Sequence, residues 1–169
     1  MSMKTLLLLR HAKSSWDDPS QDDHDRPLNQ RGYLEAPRIG SLIQEKGLVP
    51  DLAIASTARR AKDTADLVLR ACGYAGDLKL EPGLYGADYK LFTQLIQALP
   101  EKAACVLLVG HNPDIEDLIQ RLTGERIAIA TATLAQVRLP LETWRDIGQI
   151  DSHKNKADLA GLWQARKLD

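Results

Sequence analysis

Two short apolar runs constrain this chain more than any other feature, because each stops at a histidine. Met3 to Leu9 leads into Arg10-His11, and Ala104 to Val109 leads into Gly110-His111. Apolar runs of this length, without a polar face, read as strands covered on both sides, the kind found in parallel sheets between helical layers. Asp51 to Ala55 is a shorter strand of the same character.

Helical spacing fills the intervals. Gln30 to Lys46 places Leu34, Ile39, Leu42 and Ile43 on one stripe, and Arg59 to Cys72 does the same with Ala61, Ala65, Leu67, Val68 and Leu69. Pro37 lacks the N–H that the helix ladder needs, so a kink or restart is expected there. Leu78 to Glu81 reads as a strand and Tyr89 to Leu99 as a helix. Pro113 to Leu122 reads as a helix capped by Asn112, with proline at its first position. The last third turns β-rich, with strands expected over Thr133 to Leu139, Arg145 to Ile150 and Leu159 to Ala165. The alternation predicts a three-layer α/β/α fold with an open, mostly parallel sheet, and 169 residues suit one minimal domain over 1–169. Ligands of such sheets bind beyond the carboxyl ends of the strands.

Charge excludes several functions. Lys and Arg total 22 against 23 Asp and Glu, so no basic excess marks a nucleic-acid or anionic-membrane partner. The apolar stretch before Arg10 is too short for a signal peptide or a membrane span, and Cys72 and Cys105 lie far apart. The expectation is a reduced, cytoplasmic protein. Among rival chemistries there is no G-x-G-x-x-G, no G-x-x-x-x-G-K, no G-x-S-x-G and no H-E-x-x-H, and no zinc-ligand spacing joins the four His and two Cys. Neither a cofactor nor a metal is expected.

What remains is a cluster for an anion. One histidine at a strand end is unremarkable, but His11 and His111 stand at equivalent ends of two strands. The third strand runs through Ser56-Thr57-Ala58 into Arg59-Arg60; if Thr57 caps that helix, both arginines fall in its first turn, the electropositive end. Cations there are unfavourable unless an oxyanion is bound. Guanidinium forks suit phosphate oxygens, and backbone N–H groups at the Asn112-Pro113 helix start add donors. A neutral imidazole can attack phosphorus and later leave without a metal, so His11 or His111 can serve as nucleophile while Arg10 and Arg60 stabilise the transition state.

Leu9-Arg10-His11-Ala12, Arg60-Ala61-x-x-Thr64 and Val109-Gly110-His111-Asn112-Pro113 together resemble the histidine phosphatase (phosphoglycerate-mutase-like) superfamily, with Asp25-Arg26-Pro27-Leu28-x-x-x-Gly32 as its usual opening of the first helix. The small size and the run Arg10-His11-Ala-Lys-Ser-Ser-Trp look most like the SixA-type phosphohistidine phosphatases. The resemblance implies His11 as the phosphorylated nucleophile, Arg10 and Arg60 as phosphate clamps and His111 as the second pocket histidine, with Arg59 peripheral. Ser14, Ser15 and Asn112 are further candidate phosphate ligands. Two positions depart from the family pattern: Ala12 replaces the usual Gly, and Asp17 stands where sugar-phosphate mutases often carry Asn, which counts against a mutase. Ester-cleaving relatives supply a carboxylic acid to the leaving oxygen, for which Glu81 is the candidate here; a phosphohistidine substrate needs that acid less.

The expected substrate is therefore phosphohistidine in a protein, with a small phosphate ester as the alternative and a catalytically silent phosphate-binding module as a third reading. The loop from Asp17 to Asp25 carries five Asp around His24, read either as a solvated acidic loop or as a surface for docking a basic protein. Trp16, Trp144 and Trp163 read as core or rim packing rather than as ligand platforms.

Overall fold

The computed structural model describes residues 3–168. Ten main elements follow in the order β1 (Lys4–Arg10), α1 (Gln30–Glu45), β2 (Leu52–Ser56), α2 (Arg59–Cys72), β3 (Leu78–Glu81), α3 (Tyr89–Gln97), β4 (Cys105–Gly110), α4 (Asp114–Thr123), β5 (Thr133–Leu139) and β6 (Asp158–Gln164). The sheet order is β3-β2-β4-β1-β5-β6. The first four strands in that order run parallel, β5 pairs antiparallel to β1, and β6 pairs antiparallel to β5 at the edge.

Alternation along the strands feeds two cores. Leu6, Leu8, Ile54, Val106 and Leu108 pack against Phe92 and Ile96 of α3 and Ile115, Leu118 and Leu122 of α4. Leu7, Leu9, Ala53, Ala55, Leu107 and Val109 face Ile39 and Ile43 of α1 and Ala65 and Val68 of α2. Burying both faces explains why these strands show no polar alternation. Trp144 is fully buried, as its packing reading requires, whereas Trp16 is largely exposed. Among the described residues no helix is long and apolar enough to cross a membrane.

Four local expectations are corrected. The helix α1 continues through Pro37 as one element, because its buried residues Ala36, Ile39, Gly40 and Ile43 hold it against the core on either side of the missing bond. Its inner face passes through Glu35, buried and bonded to Arg31 at 3.1 Å, while Leu34 lies outside, 64% exposed. The segment expected as a strand over 145–150 is a 3-10 helix, Trp144–Gln149. Its buried residues, Trp144 and Ile147, are three apart, which matches three residues per turn. Neither proposed cap acts as one: the residue before α2 is Ala58, with Thr57 bonded to His24 instead, and the residue before α4 is Pro113.

Candidate active site

The carboxyl ends of β1, β2 and β4 converge, and the register pairs Arg10 directly with Gly110. The residues just past them, with the α2 start, line a cleft of about 300 Å³ formed by Arg10, His11, Lys13, Ser14, Trp16, Asp23, Arg26, Arg60, His111, Asn112 and Thr131. The structure thus brings together Arg10, His11, Arg60 and His111, with Ser14 and Asn112 beside them. A larger concavity of about 650 Å³ lies away from these residues, among Asp88, Asp114, Asp117 and Arg121, and holds no histidine.

His11 is 7% exposed, and its Nδ1 lies 2.7 Å from the Ala12 carbonyl oxygen. A carbonyl only accepts, so Nδ1 carries the proton and Nε2 keeps its lone pair. Burial lowers the His11 pKa to about 3, with His111, Arg60 and Arg10 pushing the same way against the Ala12 hydrogen bond. The ring is therefore neutral at physiological pH. Its backbone is anchored from α2: the Ala12 N–H donates to Thr64 Oγ1 at 2.9 Å, and that hydroxyl donates to the Arg60 carbonyl at 2.6 Å. Arg60-Ala61-x-x-Thr64 is thereby one turn of helix that faces the β1 end with a cation above and a hydroxyl below.

The His111 ring centroid is 5.2 Å from that of His11, and its Nε2 meets the fully buried Ser56 Oγ at 2.8 Å. Burial lowers its pKa to about 4, with Arg60 contributing. Arg10 donates from Nη1 to the Ile129 carbonyl at 2.9 Å, and burial lowers its pKa too. Four buried polar side-chain atoms among the described residues lack a protein partner, and three of them, Arg10 Nε, His111 Nδ1 and Asn112 Oδ1, belong to residues of this cleft. Of these, Arg10 Nε is a cationic donor without a protein partner, which suits an oxyanion.

Arg60 is 7% exposed although it stands in the first turn of a helix. The conflict between a cation and the helix N-terminus is met by Asp23, whose carbonyl accepts from Arg60 Nη1 at 2.7 Å and whose Oδ2 lies 3.0 Å from Nη2. Asp23 Oδ1 also accepts from Arg26 Nη1 at 2.8 Å, and Tyr85 donates its hydroxyl to Oδ2 at 2.5 Å. These bonds, Tyr85 first and then Arg26 and Arg60, hold the carboxyl well below the usual carboxylate range. Arg59 lies outside the cleft, 3.6 Å from Asp63.

The remaining candidates separate. Ser14 is buried and its hydroxyl accepts from Arg26 Nη2. Asn112 gives its amide to Glu116 and to the Ile129 carbonyl. Ser15 is absent from the cleft lining; its hydroxyl accepts from the Asp17 N–H at 3.1 Å. Glu81 is also not among the lining residues, because its Oε1 accepts from the Gly83 N–H and caps the turn Pro82–Leu84. The acidic loop is more than a solvated one, since Asp23, still half-exposed, engages Arg60 and Arg26 with its carboxylate. Lys13, Trp16, Asp23, Arg26 and Thr131 were not anticipated. Asp23 and Arg26 had a signal, opposite charges three residues apart around a turn, whereas Thr131 had none.

The sequence model of the histidine phosphatase superfamily (branch 1) matches residues 6–127, which hold all four central residues. The chain belongs to the histidine phosphatase superfamily. An uncharacterized protein of Mycobacterium leprae is 33% identical over 164 residues, covering 95% of this chain and 93% of its own. A crystal structure assigned as the phosphohistidine phosphatase SixA of Agrobacterium tumefaciens superposes with a TM-score of 0.78 at 28% identity, covering 95% of this chain and 97% of the other. The protein histidine phosphatase SixA complexed with tungstate shares the fold, with a TM-score of 0.81 at 22% identity over 98% of this chain and 99% of that one. This histidine phosphatase is thus an enzyme of SixA-like architecture, and the resemblance read from its motifs holds.

Proposed function

We propose that the chain hydrolyses phosphohistidine in a protein through a covalent phospho-His11 intermediate. The observation that carries this reading is the neutral, buried His11 ring, locked by Ala12 so that Nε2 is free to attack, beside Arg10, Arg60 and His111. In the first step the Nε2 lone pair forms a bond to phosphorus. The bond from phosphorus to the substrate imidazole breaks and its electron pair stays on that nitrogen, so the ring, protonated on its other nitrogen, leaves as neutral imidazole. In the second step water attacks phosphorus, the P–Nε2 bond returns its pair to His11, and the proton lost by water leaves with phosphate. Arg10 and Arg60 stabilise the charge on the equatorial oxygens in both steps.

The choice of leaving group rests on the carboxylates. Asp23 is the one carboxylate among the cleft-lining residues, and its three donors keep it ionised and unable to give up a proton. An alkoxide leaving group would need such a proton; an imidazole leaves without a strong acid. The SixA-type fold neighbours support the same substrate class. The test is a metal-free assay comparing a phosphohistidine protein with a panel of phosphate esters. Turnover of phosphohistidine in preference to esters is expected. Ester turnover alone would establish the small-ester reading instead, and phosphate binding without turnover would make the chain a silent module.

A further inference from the structure

We propose that Asp23 is a resident competitor of the phosphoryl group for Arg60 and so sets how weakly this pocket holds phosphate. The inference rests on the phosphatase reading of the cleft and concerns a residue that the chemistry above does not use. Asp23 opens the short turn Asp23–Asp25 and reaches across to α2, where both terminal nitrogens of Arg60 are bonded to it, one to its carbonyl and one to its carboxylate. The same carboxylate holds Arg26 through Oδ1, and Tyr85 donates to Oδ2, the oxygen that also meets Arg60. Asp23 nevertheless lines the cleft together with His11, Arg10 and His111.

A phosphoryl group over His11 Nε2 must take its Arg60 hydrogen bonds from the fork that Asp23 already engages. Each terminal nitrogen of a guanidinium carries two hydrogens, so sharing is geometrically open. Sharing nonetheless sets the phosphate charge beside a fixed carboxylate, and like charges a few ångströms apart repel, although the half-exposed Asp23 side chain is partly screened by water. Displacing Asp23 instead would break its bonds to Arg60, Arg26 and Tyr85. Either way the carboxylate opposes the oxyanion and favours release of phosphate. A purely supporting role for Asp23 predicts the opposite sign, because removing a support for Arg60 would weaken phosphate binding.

Inorganic phosphate titrated calorimetrically into the full chain separates the two. The dissociation constant is expected to fall at least about tenfold, about 1.4 kcal/mol, in Asp23→Asn. In an Arg60→Ala background the same change is expected to give less than about a third of that gain. An unchanged or larger dissociation constant in Asp23→Asn overturns the proposal, as does a full gain that survives the loss of Arg60. Thermal unfolding checks that the variant is folded, and Asp23→Ser carries the same test if Asn does not fold. Phosphohistidine turnover by the unaltered chain keeps the outcomes distinct: with turnover present and no gain in Asp23→Asn, only this proposal fails, whereas neither turnover nor phosphate binding would remove the phosphatase reading with it.

Discussion

Replacing Thr64 by Val removes one hydroxyl and keeps the side-chain shape, and the structure says what that hydroxyl does. Thr64 is fully buried, and its Oγ1 accepts from the Ala12 N–H at 2.9 Å and donates to the Arg60 carbonyl at 2.6 Å. The Arg60 carbonyl keeps its partner in the helix ladder. The Ala12 N–H has no alternative, since Ala12 itself is fully buried. An orphaned buried donor costs about 1–3 kcal/mol, which for a chain of this size lowers Tm by about 2–12 °C. Ala12 also supplies the carbonyl that fixes the His11 tautomer, so a shift of this turn misaims Nε2. Misplacement of a reacting atom by an ångström costs up to about a hundredfold in rate. Calorimetric unfolding and turnover measured together therefore show a lower Tm and a kcat reduced about 10- to 100-fold, and Thr64→Ser restores most of both. A Thr64→Val enzyme with unchanged Tm and kcat would refute the argument that α2 anchors the nucleophile turn.

Four further outcomes are expected. His11 and His111 have pKa values lowered to about 3 and about 4, so kcat/KM falls only as pH drops toward those values and shows no loss at about 6.5 from either ring; a histidine-like loss near 6.5 abolished in His111→Gln would contradict this. The same shifts make stability decline as pH falls from about 6.5, because the unfolded chain binds protons that the folded rings refuse, which acid unfolding monitored by circular dichroism measures. Arg60→Ala removes a clamp whose loss costs about 10²–10³ in kcat, by analogy with other electrostatic donors, read in steady-state kinetics. Gly40→Ala places a Cβ against the Val68 carbonyl oxygen and 2.5 Å from Ala71 Cβ, forcing α1 and α2 apart and lowering stability by about 1–3 kcal/mol in denaturant unfolding.

The buried strands were legible because burial on two faces leaves an unmistakable apolar run, and the two histidines marked where those runs end. Thr133–Leu139 and Arg59–Cys72 match their expected bounds for the same reason: each is a strongly patterned segment with clear stops. Arg145 to Ile150 misled because a 3-10 helix with buried residues every third position resembles a short β-rich stretch by composition. Pro37 does not restart the helix because packing on both sides of it outweighs one lost hydrogen bond. At the site, Arg10, His11, Arg60 and His111 were visible as types at strand and helix ends. Asp23 was visible only through its opposite charge to Arg26; its contact with Arg60 spans 37 residues and depends on the path of the loop. Glu81 sat plausibly at the end of β3, yet nothing in the sequence signals that its carboxylate turns back to cap Gly83.

The central claim is that His11 Nε2 carries the phosphoryl group, and trapping the intermediate tests it most directly. The enzyme is mixed with a phosphohistidine protein labelled on phosphorus, quenched within one turnover in acid and in base, and the chain is mapped for label. A base-stable, acid-labile label on His11, absent from His11→Ala, is the result predicted. Label retained by His11→Ala, or turnover by that variant at the unaltered rate, would contradict the account.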